Sequence, residues 1–276
     1  MRHKTFAFMS RGKNLFAQRW WPEQYPKAVV LFVHTWAGHS NRELALVSKL
    51  TDLGYACYGF DFMGHGQSEG KRGYISDFEH WVADLTTFIE VVHSELRSVP
   101  LFVHGYGTGA CVAAHYLLGH HDVDGVIFNA GALAVGKKIS KAHIFLAWII
   151  GGILPRIPVA PLPPNSMSSL AHEQAAYDSD PLIYHGQMAA GTGKELLMAS
   201  VHIAPRLAKI STPFLALQGN KDTLVTGSEQ LYQQASSQDK TLKSYDALHD
   251  LLHDKCAEQV ISDIIEWLEV RTVVHH

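Results

Sequence analysis

The chain has 276 residues, 47% hydrophobic and 18% charged, which is ordinary globular composition and enough length for one α/β domain with a large core. Its formal net charge of −3, with lysines and arginines scattered and no basic run, excludes nucleic acid as a partner. Three cysteines, Cys57, Cys111 and Cys256, lie far apart without CxxC spacing, so they read as buried small hydrophobes in a reducing compartment.

The N-terminal stretch, Met1 to Arg11, alternates polar and apolar residues and lacks the apolar core of a signal peptide. Thr5 to Met9 and Leu15 to Trp21 read as an opening hairpin around Arg11-Gly12-Lys13-Asn14. Ala28 to His34 is a continuous apolar run, as expected of a strand buried on both faces. Ala56 to Asp61, Leu101 to Gly105, Gly125 to Asn129, Pro213 to Gln218 and Thr241 to Tyr245 complete a set of eight strands. Helical periodicity marks Arg42 to Leu53, Phe78 to Leu96, Gly109 to Leu118 and Ala257 to Leu268. This alternation predicts an α/β fold with a mainly parallel sheet flanked by helices.

From about Leu133 to Ala208 no strand pattern is visible, only amphipathic segments and a Pro-rich knot at Leu154 to Pro164. An insertion of that size, residues 133–208, reads as a helical cap over the C-terminal edge of a core formed by 1–132 and 209–274. Within it, Ile144 to Leu154 is apolar on more than one helical face, with Gly151-Gly152 as a flexible point and Pro155 as a stop. It reads either as a buried cap helix or as a lid that meets membrane, with Lys137, Lys138 and Lys141 among the headgroups. The run is shorter than the roughly 20 residues a bilayer span needs, so a soluble, cytoplasmic protein is expected, with membrane contact at most peripheral. His275 and His276 follow a helix that is already complete and resemble the remnant of a tag.

The most specific local signal is Val103-His104-Gly105-Tyr106-Gly107-Thr108-Gly109-Ala110, which follows a strand and opens a helix. That is the setting of a G-x-S-x-G nucleophile elbow, with Gly107 where the nucleophile belongs. A dinucleotide loop fits less well: no acidic ribose ligand lies at the right distance, and the loop follows a late strand. No cofactor or metal is implied. Downstream, Gln218-Gly219-Asn220-Lys221-Asp222 delivers an acid after one strand, and Ala247-Leu248-His249-Asp250 delivers a histidine after the last. Nucleophile, acid, histidine is the chain order of such hydrolases. Asp246 and Asp250 are rivals for the acid without the strand-then-loop setting, and His253 reads as a solvated helix residue.

Four segments in order carry a resemblance. Asp61-Phe62-Met63-Gly64-His65-Gly66-Gln67-Ser68-Glu69-Gly70, Ser179-Asp180-Pro181-Leu182-Ile183, and Ser237 to Lys243 followed by His249 join the elbow. Across nearly its whole length the chain resembles the monoacylglycerol lipase and lysophospholipase branch of the α/β-hydrolases. The resemblance implies Gly107 at the serine's position, Asp222 as acid and His249 as base. It also makes His34-Thr35-Trp36-Ala37-Gly38 the oxyanion loop, with the backbone N–H groups of Trp36 and Thr108 as donors. Thr35 stands where the family has glycine, a departure that bears on the loop's backbone. The ligand implied is a small acyl lipid, a monoacylglycerol or lysophospholipid.

Two readings of Gly107 follow. In one, a serine esterase for single-chain acyl lipids has had its nucleophile exchanged for glycine, so that a serine restored at 107 would find its partners in place. In the other, the chain is a natural non-catalytic hydrolase fold that binds a ligand or partner. A dehalogenase or epoxide hydrolase is disfavoured, because it needs an aspartate nucleophile.

Overall fold

The structure is a computed structural model and describes residues 1–136, 139–160, 163 and 165–272. Lys137, Lys138, His275 and His276 lie outside the described residues, as does part of the Pro-rich knot. The chain opens with β1 (Arg2–Ser10) and β2 (Lys13–Trp21), joined by Arg11 and Gly12, both in the left-handed region. Then come β3 (Ala28–Val33), α1 (Leu44–Asp52), β4 (Tyr55–Phe60), α2 (Glu79–Glu95), β5 (Leu101–Tyr106), α3 (Thr108–Tyr116) and β6 (Gly125–Asn129). Between β6 and the next strand of the main sheet lie α4 (Lys141–Ile153), β7 (Pro158–Ala160), α5 (Ala171–Ser179), β8 (Met188–Ala189) and α6 (Ala190–Ile203). The chain closes with β9 (Phe214–Gly219), α7 (Ser228–Gln234), β10 (Lys240–Tyr245) and α8 (Ala257–Arg271).

The eight-stranded sheet runs β1-β2-β4-β3-β5-β6-β9-β10. β2 is antiparallel to both neighbours, and every pair from β4 to β10 is parallel. The two faces of one strand feed two cores, as the alternation of a pleated strand requires. Val29, Leu31 and Val33 face a cluster with Trp81, Leu85 and Phe88 of α2 and Ala110 to Ala114 of α3. Ala28, Val30 and Phe32 face the opposite cluster, with Leu46, Val47 and Leu50 of α1 and Val260, Ile264 and Trp267 of α8.

The expectation of no strand between 133 and 208 is corrected: β7 and β8 pair antiparallel as a small separate sheet. Three and two residues are too few to display a period of two. Helix α7 lies outside the sequence expectations as well, being too short for helical periodicity to stand out. The Gly151-Gly152 pair acts differently from a flexible point. A Cβ at Gly151 would lie 2.5 Å from Lys194 Cβ and 2.7 Å from the Ala190 carbonyl oxygen, so this glycine lets α4 sit against α6. Gly151 is the buried residue of α4, which corrects the buried-helix reading: Phe145, Trp148 and Ile153 are 63%, 57% and 73% exposed.

The loops at the C-terminal edge of the sheet are held by buried polar groups. The Asp61 carboxylate accepts from the Ser40 N–H at 2.7 Å and the Gln67 N–H at 2.8 Å, and its carbonyl accepts from Ser68 Oγ. Thus the D-x-x-G-H-G-x-S segment ties the loop after β4 to the loop after β3. Replacing Asp61 with Ala strands the buried Ser40 donor and frees the Gln67 one. It should destabilise the fold by about 2–4 kcal/mol in urea unfolding, since an orphaned buried donor costs about 1–3 kcal/mol. Unchanged stability would remove Asp61 from this role.

Four histidines are buried at a cost that their neighbours do not make good, although Asp61 offsets part of it at His34. Burial lowers His34 and His115 to about 4 and His65 and His104 to about 3. In the unfolded chain they return to 6.5. Between about pH 4 and 6.5 the unfolded state therefore binds more protons, and stability falls as the pH falls. Burial raises Glu43, to about 7, and Asp84, which act in the opposite direction, two acids against four imidazoles. Thermal melts should show Tm falling by about 10 °C or more between pH 7 and pH 4.5. A flat Tm over that range would mean these imidazoles are not held neutral.

Candidate active site

Every residue singled out for chemistry sits at the C-terminal end of a parallel strand, where an open α/β sheet gathers its loops. The elbow between β5 and α3 is tight for a specific reason. A Cβ at Gly109 would fall 2.1 Å from the Val33 carbonyl oxygen and 2.6 Å from that of His34, so α3 approaches β3 backbone to backbone. Gly107, at the apex, has φ 56° and ψ −114°, outside the ordinary helical and extended regions. Its N–H donates to the Asn129 carbonyl at 2.9 Å, and its own carbonyl accepts from the Ala132 N–H at 3.0 Å. The apex is thus pinned to the end of β6.

The structure brings Asp222 and His249, from the loops after β9 and β10, into contact. His249 Nδ1 lies 2.7 Å from Asp222 Oδ2, and both side chains are buried. The other oxygen of Asp222 accepts from the Leu224 N–H at 2.7 Å, so the carboxylate is fixed at both ends. The Tyr106 ring packs over the imidazole with centroids 5.0 Å apart. His249 Nε2 points toward the elbow, 3.3 Å from where a Cβ on Gly107 would stand.

The rivals fall elsewhere. Asp246 is exposed and pairs with Lys221 and Lys255 at 2.6 and 2.7 Å. Asp250 is buried and pairs with Arg42 at 3.0 Å and His253 at 2.8 Å. His253 is therefore not a solvated residue, as the sequence suggested. Its side chain is 18% exposed, and the carboxylate of Asp250 helps to raise its pKa against the cost of burial.

The loop His34 to Gly38, expected to form an oxyanion hole, differs from expectation in its side chains. Thr35 does not have a positive φ; that conformation falls on Ala37, at 70°. The Trp36 N–H donates to Thr108 Oγ1 at 2.5 Å, and the Thr108 N–H donates to Thr35 Oγ1 at 3.2 Å. Both backbone donors therefore meet threonine hydroxyls instead of open space. Nothing in the sequence foretells this arrangement beyond the departure from glycine at Thr35. The Ser179 to Ile183 motif also holds structure together, since Asp180 accepts from the Leu182 N–H at 2.9 Å and pairs with His39 Nε2 at 2.9 Å. With the Tyr184 N–H donating to the Ala37 carbonyl at 2.9 Å, it binds the segment after α5 to the oxyanion loop.

A cavity of about 720 Å³ opens from the elbow. Its polar end is formed by Thr35, Thr108, Asp222 and His249, and its walls by Ala132, Met167, Met188, Leu196, Leu197 and Leu224. Cys111 lines it too, but burial raises its thiol pKa and keeps the sulfur protonated. Among the described residues no group of His, Cys, Asp and Glu is arranged to hold a metal ion. A largely apolar cavity with a few polar groups suits an amphipathic small molecule.

Known proteins share this architecture. The chain is 32% identical to human monoglyceride lipase over 95% of its length and 88% of that protein. A soluble variant of yeast monoglyceride lipase, solved with a substrate analog, superposes with a TM-score of 0.87 at 22% identity, covering 100% of this chain and 97% of that one. The monoacylglycerol lipase of Paleococcus ferrophilus superposes with a TM-score of 0.82 at 26% identity, covering 93% and 99%. The Hydrolase_4 family model, described as serine aminopeptidase S33, matches residues 24–256. The chain is an α/β-hydrolase of the Hydrolase_4 family, with monoglyceride lipases among its relatives.

Proposed function

We propose that this chain binds a single-chain acyl lipid, a monoacylglycerol or lysophospholipid, in the cavity beside Gly107, and that ester hydrolysis is halted at the elbow. The observation that carries the reading is the juxtaposition of an oriented Asp222–His249 pair with an apex that bears no oxygen. In a working triad, His249 takes the nucleophile's proton, Asp222 holds its tautomer and steadies the imidazolium, and the Trp36 and Thr108 N–H groups receive the oxyanion. Here the base has no hydroxyl to activate, so no acyl-enzyme forms. Two histories lead to such a site: a serine esterase with one residue exchanged, or a natural non-catalytic binder. Thr35 packs into the space a side chain at 107 needs, which favours a chain adapted to its glycine. The unaltered chain should not react with a fluorophosphonate probe or turn over p-nitrophenyl butyrate, yet should bind a fluorescent fatty acid. Leu197→Trp, which fills the cavity, should weaken that binding by about tenfold or more, a loss of about 1.4 kcal/mol. Turnover by the unaltered chain, or binding indifferent to Leu197→Trp, would defeat the proposal.

We further propose that residues 133–208 form a cap and that α4 rests on a lipid surface while the ligand enters. No helix among the described residues is long and apolar enough to cross a membrane. α4 nevertheless presents Phe145, Leu146, Trp148 and Ile153 to solvent, with Phe145 and Trp148 stacked 6.4 Å apart. Exposed apolar patches of this kind mark interaction surfaces. Trp148→Asp should weaken sedimentation with phosphatidylcholine vesicles by about tenfold and leave fatty-acid binding in solution unchanged. Equal loss of both would point to a damaged cap.

A further inference from the structure

The elbow and the oxyanion loop are complementary in a way that neither motif reveals alone. A Cβ placed on Gly107 would lie 2.4 Å from Thr35 Oγ1 and 2.9 Å from Thr35 Cβ. Rotating Thr35 about χ1 moves the hydroxyl but leaves its Cβ where it is, so the second contact persists in every rotamer. Thr35 Oγ1 in turn accepts from the Thr108 N–H at 3.2 Å and lies 3.3 Å from Thr108 Oγ1, which accepts from the Trp36 N–H at 2.5 Å. Two threonine side chains therefore fill both the nucleophile's space and the seat of the oxyanion.

We propose that Thr35 and Thr108 are the residues that close this site to acyl transfer, with Gly107 leaving the room that lets Thr35 enter. The inference rests on the reading of Asp222, His249 and Gly107 as a triad without its nucleophile. It runs against the expectation that serine at 107 suffices. For acyl transfer the serine oxygen must bond to the ester carbonyl carbon as its proton passes to His249 Nε2. The carbonyl oxygen then needs the Trp36 and Thr108 N–H groups; collapse returns the proton to the departing alcohol, and water later releases the acid. With both donors already bonded to hydroxyls, the negative oxygen has no seat. Removing one such donor costs about a hundredfold or more in rate.

The test compares Gly107→Ser, Gly107→Ser with Thr35→Gly, and the triple change that adds Thr108→Ala, using fluorophosphonate labelling and p-nitrophenyl butyrate turnover. Gly107→Ser alone should stay unlabelled. The triple change should label and turn over at least about a hundredfold faster than the single one. Labelling of the single change at a rate within a few-fold of the triple one would overturn the proposal, and so would labelling of Thr35 in the unaltered chain, which would make it the nucleophile. Amide hydrogen exchange gives a readout free of catalysis: the Thr108 N–H should exchange at least about tenfold faster in Thr35→Ala than in the unaltered chain. Equal exchange also overturns the proposal. A triple variant that stays inert although Thr35→Ala releases the Thr108 amide would instead indict the reading of Asp222 and His249.

Discussion

The backbone contact between the start of α3 and the end of β3 is the constraint on which the site depends. Gly109 has no Cβ, so the helix comes to rest against the Val33 and His34 carbonyls. That approach forces the chain at Gly107 into a conformation that costs a side-chain-bearing residue about 1–3 kcal/mol. It also sets the elbow face to face with the loop after β3. The distances between Thr35, Gly107 and Thr108 follow from it.

Around this contact the loops are held by carboxylates. Asp61, Asp180 and Asp222 each accept backbone N–H groups in loops at the C-terminal edge of the sheet. Asp180 in addition reaches His39, so the segment after α5 is registered against the loop after β3 by a side-chain hydrogen bond and not by apolar contact alone. Loops held in this way need no regular structure to be rigid, because each buried donor has one well-placed acceptor and loses by moving away from it. The same burial keeps His34 and His65 neutral, which makes the region sensitive to acid.

Under the proposed function, the site holds a base with no hydroxyl from which to take a proton. Asp222 and His249 keep the geometry of a proton relay, and the cavity keeps an apolar wall with one polar end. An oxyanion seat left open would hold two unpaired N–H groups, which water or a hydroxyl must satisfy. Here threonine hydroxyls satisfy them, so the resting site gives up nothing in hydrogen bonding. Proteins named as monoglyceride lipases share the fold of this chain, at about a third of the sequence or less.

The strands of the main sheet and the loops that carry Asp222 and His249 were legible in the sequence, because a buried parallel strand is an unbroken apolar run and the loop after it is local. Gly107 was legible for the same reason, since the small residues flanking an elbow are neighbours in the chain. What stayed hidden depended on distance across the fold. His253 looked solvated because its partner Asp250 is buried by Arg42, 208 residues from that aspartate in sequence. β7 and β8 were too short for any period, and whether α4 is buried or bare turned on Gly151 meeting Lys194. Thr35 drew notice only as a missing glycine in its own loop. Its side chain meets Thr108, 73 residues away, and only the packing of α3 on β3 decides that the two hydroxyls meet where an oxyanion would sit.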